Sequence, residues 1–202
     1  MRILFALLRL TVAVLSIVAI VTTFLGTAAK TSINPFNFFG FFTIQSNIFA
    51  AVMLLIVGLV GLAGRRRSAR LDLVYAAATT YIVIVGIVYN TLLVGLPGGI
   101  DVPWANTVLH VVAPLYVAID WLLFGDRRRL ALKRLWIILV YPIVWLVVVL
   151  IRGASDGWVP YPFLDPANGY GSVAVYCVMI AIAFAAVGWL VLWYSRVKVL
   201  KP

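Results

Sequence analysis

The chain alternates between six apolar runs, over residues 6–29, 38–62, 73–96, 104–124, 135–151 and 173–194, and short polar or basic segments. Most of these runs reach the roughly 20 residues that an α-helix needs to cross a hydrocarbon core. The fifth is the shortest and is expected to extend into its flanks. The first follows Arg2 and Arg9 and ends in Gly-Thr-Ala-Ala, as a signal peptide can. It outruns the roughly 7–15 residues of a signal h-region and so reads as a retained span. The pattern predicts an all-α polytopic membrane protein, six transmembrane helices in one compact bundle, with a single domain over residues 1–202. Short connections make consecutive spans antiparallel neighbours. No internal repeat and no matched pair of broken helices stands out, which weakens a carrier reading.

Composition agrees: 65% of the 202 residues are hydrophobic and 11% are charged. Charge adds orientation. Fourteen of the sixteen Lys and Arg residues fall on one side of a six-span model, in clusters such as Arg65, Arg66, Arg67 and Arg70 and Arg127, Arg128 and Arg129, and only Lys30 and Arg152 lie opposite. The positive-inside rule then places both termini of a multi-pass membrane protein in the cytoplasm. The net charge of +10 is accounted for by these loops and anionic headgroups, with no nucleic-acid partner implied. Cys177 is alone, which excludes an internal disulfide and any multi-cysteine site.

Polar residues inside the runs mark candidate chemistry. Thr43, Gln45, Ser46 and Asn47 interrupt the second, Asn90 the third, and Asn106 and His110 the fourth. Counting along the runs at about 1.5 Å per residue puts Thr43, Asn90 and His110 in one layer, roughly 10 Å below the outer surface. Thr43 and Asn47 share a helix face, as do Asn106 and His110; Gln45 points elsewhere. Each polar group taken singly is explained by interhelical bonding, or for Thr43 by a hydroxyl bonded to its own helix. The only histidine, intramembrane and able to accept a proton near neutrality, adds a second reading. A hydroxyl beside an imidazole is the minimal nucleophile and general base for acyl transfer. Gln45, Asn47, Asn90 and Asn106 could orient the imidazole or stabilise an oxyanion, and Tyr89 or an outer-loop tyrosine could also donate. Asp120, ten residues past His110, is too deep to orient it and is expected to pair with the basic inner loops or bond at the helix rim.

A metal site is poorly supported, since Asp101, Asp156 and Asp165 would have to converge with His110, and a bis-histidine haem is impossible with one histidine. No cofactor is expected. The loop RGASDGWVPYPFLDPANGYG packs aromatics among prolines and glycines; Trp158, Tyr161 and Tyr170 are expected either to anchor the membrane interface or to cap a pocket.

Three motifs in order, FFTIQSNI at 41–48, HVVAPLYVAIDW at 110–121 and YPFLD at 161–165, resemble the bacterial branch of the androgen-induced-protein-like multispan membrane family. Its animal members hydrolyse fatty acid esters of hydroxy fatty acids with a threonine and a histidine. The resemblance implies Thr43 as nucleophile and His110 as base in an intramembrane lipid ester hydrolase of a bacterial inner (cytoplasmic) membrane. A lipid ester would enter sideways from the outer leaflet, its chains among Phe36, Phe38, Phe39, Phe41 and Phe42 and its ester near Thr43 and His110; Tyr161 is nominated as a substrate contact from its place in the outer loop. A non-enzymatic protein that binds or transports a lipid or other amphipathic small molecule in the same pocket is the alternative. The sequence names no protein partner.

Overall fold

The computed structural model describes residues 1–96 and 102–200. The connection over residues 97–101, which includes Asp101, and the terminal residues 201–202 lie outside the described residues. Six helices long and apolar enough to span a membrane are present among the described residues, the architecture of a multi-pass all-α membrane protein. They are α1 (Arg2–Ala28), α3 (Phe42–Leu62), α4 (Ala69–Val88) extended by a π-helical turn Tyr89–Leu93, α5 (Pro103–Thr107) continued through a π-turn Val108–Val112 into α6 (Ala113–Leu123), α7 (Leu135–Ser155) and α8 (Tyr170–Tyr194). A short helix, α2 (Pro35–Gly40), precedes α3.

Local chemistry sets several of these ends. Ser68 accepts the Leu71 N–H at 3.1 Å and starts α4, satisfying a donor that the helix itself leaves free. Asn34 caps α2 in the same way through Phe36 N–H at 2.9 Å, and Pro35 takes the first helical position, where no N–H is needed. The second span therefore begins differently from the predicted run at 38. The chain turns extended at Phe41 (φ −64°, ψ 130°), so Thr43 is the second residue of α3 rather than lying several residues inside it.

Helices α1 and α3 approach closely because their facing residues are small. Ala6, Ala13 and Ala19 of α1 are fully buried, and a Cβ on Gly58 would sit 3.0 Å from Leu10 Cδ2 and 3.2 Å from the Ala6 carbonyl. Small residues at such crossings gain dispersion contacts, the main attraction available between helices in lipid. Farther along α3, Phe42 meets Tyr81, Tyr141, Trp145 and Phe184 at centroid separations of 5.1–6.1 Å, tying α3 to α4, α7 and α8. Helices α7 and α8 are the least buried spans, with Ile143, Val147, Val175 and Ile182 each about half exposed or more. Those faces are suited to lipid.

The basic segments do more than mark topology. Arg9 lies inside α1, 1% exposed, and is the partner that Asp120 takes in place of the expected inner loops: Nε donates to Oδ1 at 2.9 Å and Nη2 to Oδ2 at 3.0 Å. Tyr75 donates to the same carboxylate at 2.7 Å. Arg9 also reaches Asp126 at 2.7 Å, Asp126 meets Arg67 at 2.8 Å, and Arg67 lies 2.8 Å from Asp72. Arg127 donates to the carbonyls of Phe124, Tyr194 and Val197, closing the last turn of α8. Leu200 pairs with the 123–125 segment through two backbone bonds of 2.8 Å, and Phe5 stacks on Phe124 at 4.3 Å. Both ends of the chain thus converge on one buried ionic cluster.

Candidate functional site

Thr43 lines an apolar cavity of about 130 Å³ together with Phe42, Tyr89, Trp145, Tyr161 and Phe184. Its backbone N–H donates to the Tyr161 hydroxyl at 3.1 Å, and its Oγ lies 3.3 Å from the same oxygen. Because the amide must donate, the phenol is left free to donate its own hydrogen to Thr43 Oγ. Burial pushes the Tyr161 hydroxyl above its usual pKa, opposed by these bonds from Thr43, so it stays protonated at neutral pH.

The loop between α7 and α8 holds Tyr161 in place. The Trp158 ring lies against Gly40, where a Cβ would come within 2.6 Å of Cη2, and Trp145 Nε1 donates to the Gly40 carbonyl at 2.9 Å. Arg152 donates to Asp156 at 2.8 Å and to Asn37 at 2.9 Å while its guanidinium sits 4.2 Å over Trp158. Of the three aromatics, Tyr161 lines the cavity, Trp158 packs on Gly40, and Tyr170, 69% exposed, lies with Leu164 and Pro166 on the outer side of the loop.

His110 sits in the π-turn between α5 and α6, 6% exposed. Its Nδ1 is 3.0 Å from the Asn106 carbonyl, which can only accept; Nδ1 therefore carries the hydrogen and Nε2 the lone pair. Tyr89 stacks on the imidazole at 3.8 Å, and its hydroxyl accepts from Asn106 Nδ2 at 2.5 Å. The backbone here is shaped by Pro114. It has no N–H for the carbonyls one turn earlier, and the Ala113 N–H goes to Val108 in the π-register. Two asparagines supply the missing donors: Asn47 Nδ2 to the Leu109 carbonyl at 3.1 Å and Asn90 Nδ2 to the His110 carbonyl at 3.2 Å.

No hydrogen bond joins Thr43 to His110. Tyr89 is the side chain common to both, lining the cavity with Thr43 and covering the imidazole. The remaining sequence candidates divide cleanly. Phe42 and Tyr161 line the cavity, whereas Asn47, Asn90 and Asn106 serve the backbone and ring around His110. Gln45 turns to α7, accepting from the Tyr141 hydroxyl and donating to the Phe39 carbonyl at 2.7 Å. Phe39 packs edge-on against Phe38, 5.2 Å away and outside the cavity, and Phe36 is 84% exposed. Tyr89 and Trp145, prominent here, carry only a weak sequence signal, a polar-tipped aromatic within a span. Among the described residues no group of three His, Cys, Asp or Glu side chains could hold a metal ion.

Comparison with protein-family models, curated proteins and solved structures finds no match to this chain.

Proposed function

We propose that this protein is an intramembrane hydrolase of lipid esters, with Thr43 as nucleophile and His110 as general base. The observation that supports it most is the placing of Thr43 on the wall of an apolar cavity together with Tyr89, the ring that stacks on the His110 imidazole. Thr43 Oγ attacks the ester carbon as its proton passes to Nε2, and that proton then goes to the departing alcohol. Water attacks the acyl-threonine, gives a proton to the same nitrogen, and the collapse that frees the fatty acid returns it to Thr43 Oγ. Since the two side chains do not bond directly, a water molecule relays the proton between them. The Tyr161 hydroxyl is placed to steady the oxyanion or the nucleophile. The resemblance of the three sequence motifs to the bacterial branch of the androgen-induced-protein-like family agrees with this chemistry and with a bacterial cytoplasmic membrane, and the charge asymmetry of the loops favours both termini inside.

A second reading, a lipid-binding or transport protein without catalysis, is favoured by the stacked Tyr89 ring that covers the imidazole. Purified wild type and Thr43→Ala, incubated with a panel of lipid esters and read for released fatty acid by mass spectrometry, separate the two. Release that persists in the variant, or is missing from both proteins, removes the hydrolase reading; lipid retained equally by both supports the second.

A further inference from the structure

A second chamber, of about 500 Å³, opens between α7 and α8 beneath the 156–169 loop, and Leu164 and Cys177 belong to its walls and to those of the Thr43 cavity. Leu164, 2% exposed, lies on the short helical turn Pro162–Leu164 that follows Tyr161. Beyond it the wall is made by Leu150, Gly153, Pro166, Ala174 and Val178. Ala174 presents only a methyl group to this wall, and Gly153 admits Val159, whose Cγ2 would lie 3.2 Å from a Cβ there. The neighbouring faces of α8 are lipid-suited, with Val175 57% and Val178 59% exposed. From Cys177 to Tyr170 the chamber follows seven residues of α8, about 10 Å of helix axis.

We propose that this outer chamber is the subsite for the distal part of a single fatty-acyl chain whose carbonyl end lies at Thr43. The inference rests on the hydrolase reading only for what happens at the carbonyl; occupation of the chamber stands independently of it. An alkyl chain fits because the outer chamber's lining is apolar apart from the Tyr170 hydroxyl and the Cys177 thiol, because the two chambers share Leu164 and Cys177, and because exposed apolar faces of α8 adjoin the outer one. The chamber then acts as the chain-length selector. Long chains gain contacts along α8 that short chains never reach, each buried methylene adding to affinity.

Two measurements test this on the full-length protein in micelles. The first uses palmitic acid carrying a diazirine either at its terminal carbon or next to its carboxyl group, with labelled peptides mapped by mass spectrometry. The terminal probe is expected on residues 150–153 and 166–178, and the proximal probe on residues 42–43 and 161–164. Identical maps for both probes, or terminal labelling spread over all lipid-facing helices as for a bilayer tail, overturn the proposal. The second compares palmitoyl and butyryl esters in Ala174→Trp, a substitution at an exposed position of the outer chamber, with Val178→Trp as its companion should the first not fold. Turnover of the palmitoyl ester relative to the butyryl ester is expected to fall about tenfold, as the loss of roughly two buried methylenes gives. Equal effects on both chain lengths overturn the proposal. Should no ester be cleaved by the wild type, the hydrolase reading fails while the labelling maps still decide the subsite.

Discussion

Arg9 and Asp120, 111 residues apart in sequence, form a two-pronged ion pair in which both side chains are 1% exposed. In a low-dielectric setting such a pair is held by its partner's presence more than by its own net worth, since each charge lost from water must be matched. Asp120→Asn or Arg9→Met alone is therefore expected to destabilise the fold by about 3–5 kcal/mol. Combining Arg9→Met with Asp120→Leu is expected to cost less than the sum of the single changes. Chemical denaturation in detergent micelles measures the difference, and strict additivity would show that the pair does not act as a unit.

The backbone around His110 gives a second prediction. Asn47→Ala leaves the buried Leu109 carbonyl without its side-chain donor and is expected to cost about 1–3 kcal/mol. Adding Pro114→Ala restores an N–H one turn later and is expected to recover part of that loss. Equal destabilisation of single and double variants would mean that Asn47 acts elsewhere.

On the proposed hydrolase mechanism, His110→Ala is expected to lower ester turnover by about 10²–10⁴-fold with the thermal transition little changed, the usual worth of a general base. A steady-state assay on the ester that the panel identifies reads it. Asn106→Ala, which keeps the Asn106 carbonyl bonded to Nδ1 but removes the amide held to Tyr89, is expected to have a much smaller effect.

Tyr161→Phe removes the oxygen that accepts the Thr43 amide, at an expected cost of about 1 kcal/mol. Amide exchange at Thr43 and across the 156–169 loop should quicken together. Faster exchange confined to the loop would show that Tyr161 is not what couples it to α3.

The cap also has a pH dependence whose sign can be worked out. The Trp158 backbone N–H and the Arg152 guanidinium hold the Asp156 carboxyl below the usual carboxylate range. A depressed folded-state pKa contributes order that is fully present above the unfolded value of about 4 and is lost as pH falls through the folded one. Protection of the Trp158 amide, corrected for its intrinsic rate, should accordingly decline in acid below that value and be lost at neutral pH in Asp156→Ala.

Much of the architecture was legible in the chain itself. Six runs of apolar residues, bounded by Ser68, Asn34 with Pro35 and clusters of arginine, are sufficient to specify six long helices, because the cost of unpaired backbone in hydrocarbon leaves few other choices. Helix periodicity likewise put Asn106 and His110 on one face, and the structure joins them through Nδ1. The break at Phe41 was less visible, since it depends on Trp158 packing against Gly40 from 118 residues away.

What sequence by itself determined was the number of spans, their apolar character and the short list of polar residues inside them, all consequences of local composition meeting the thickness of a membrane. Tertiary structure alone decided the partners: that Arg9 belongs to Asp120, that Asn47 and Asn90 answer carbonyls freed by Pro114, and that Tyr161 rather than His110 bonds Thr43. Hydrophobicity is additive along a chain and can be summed from residues. Hydrogen bonds and ion pairs are directional and close over a few ångströms, so their pairing exists only once the helices have taken their places.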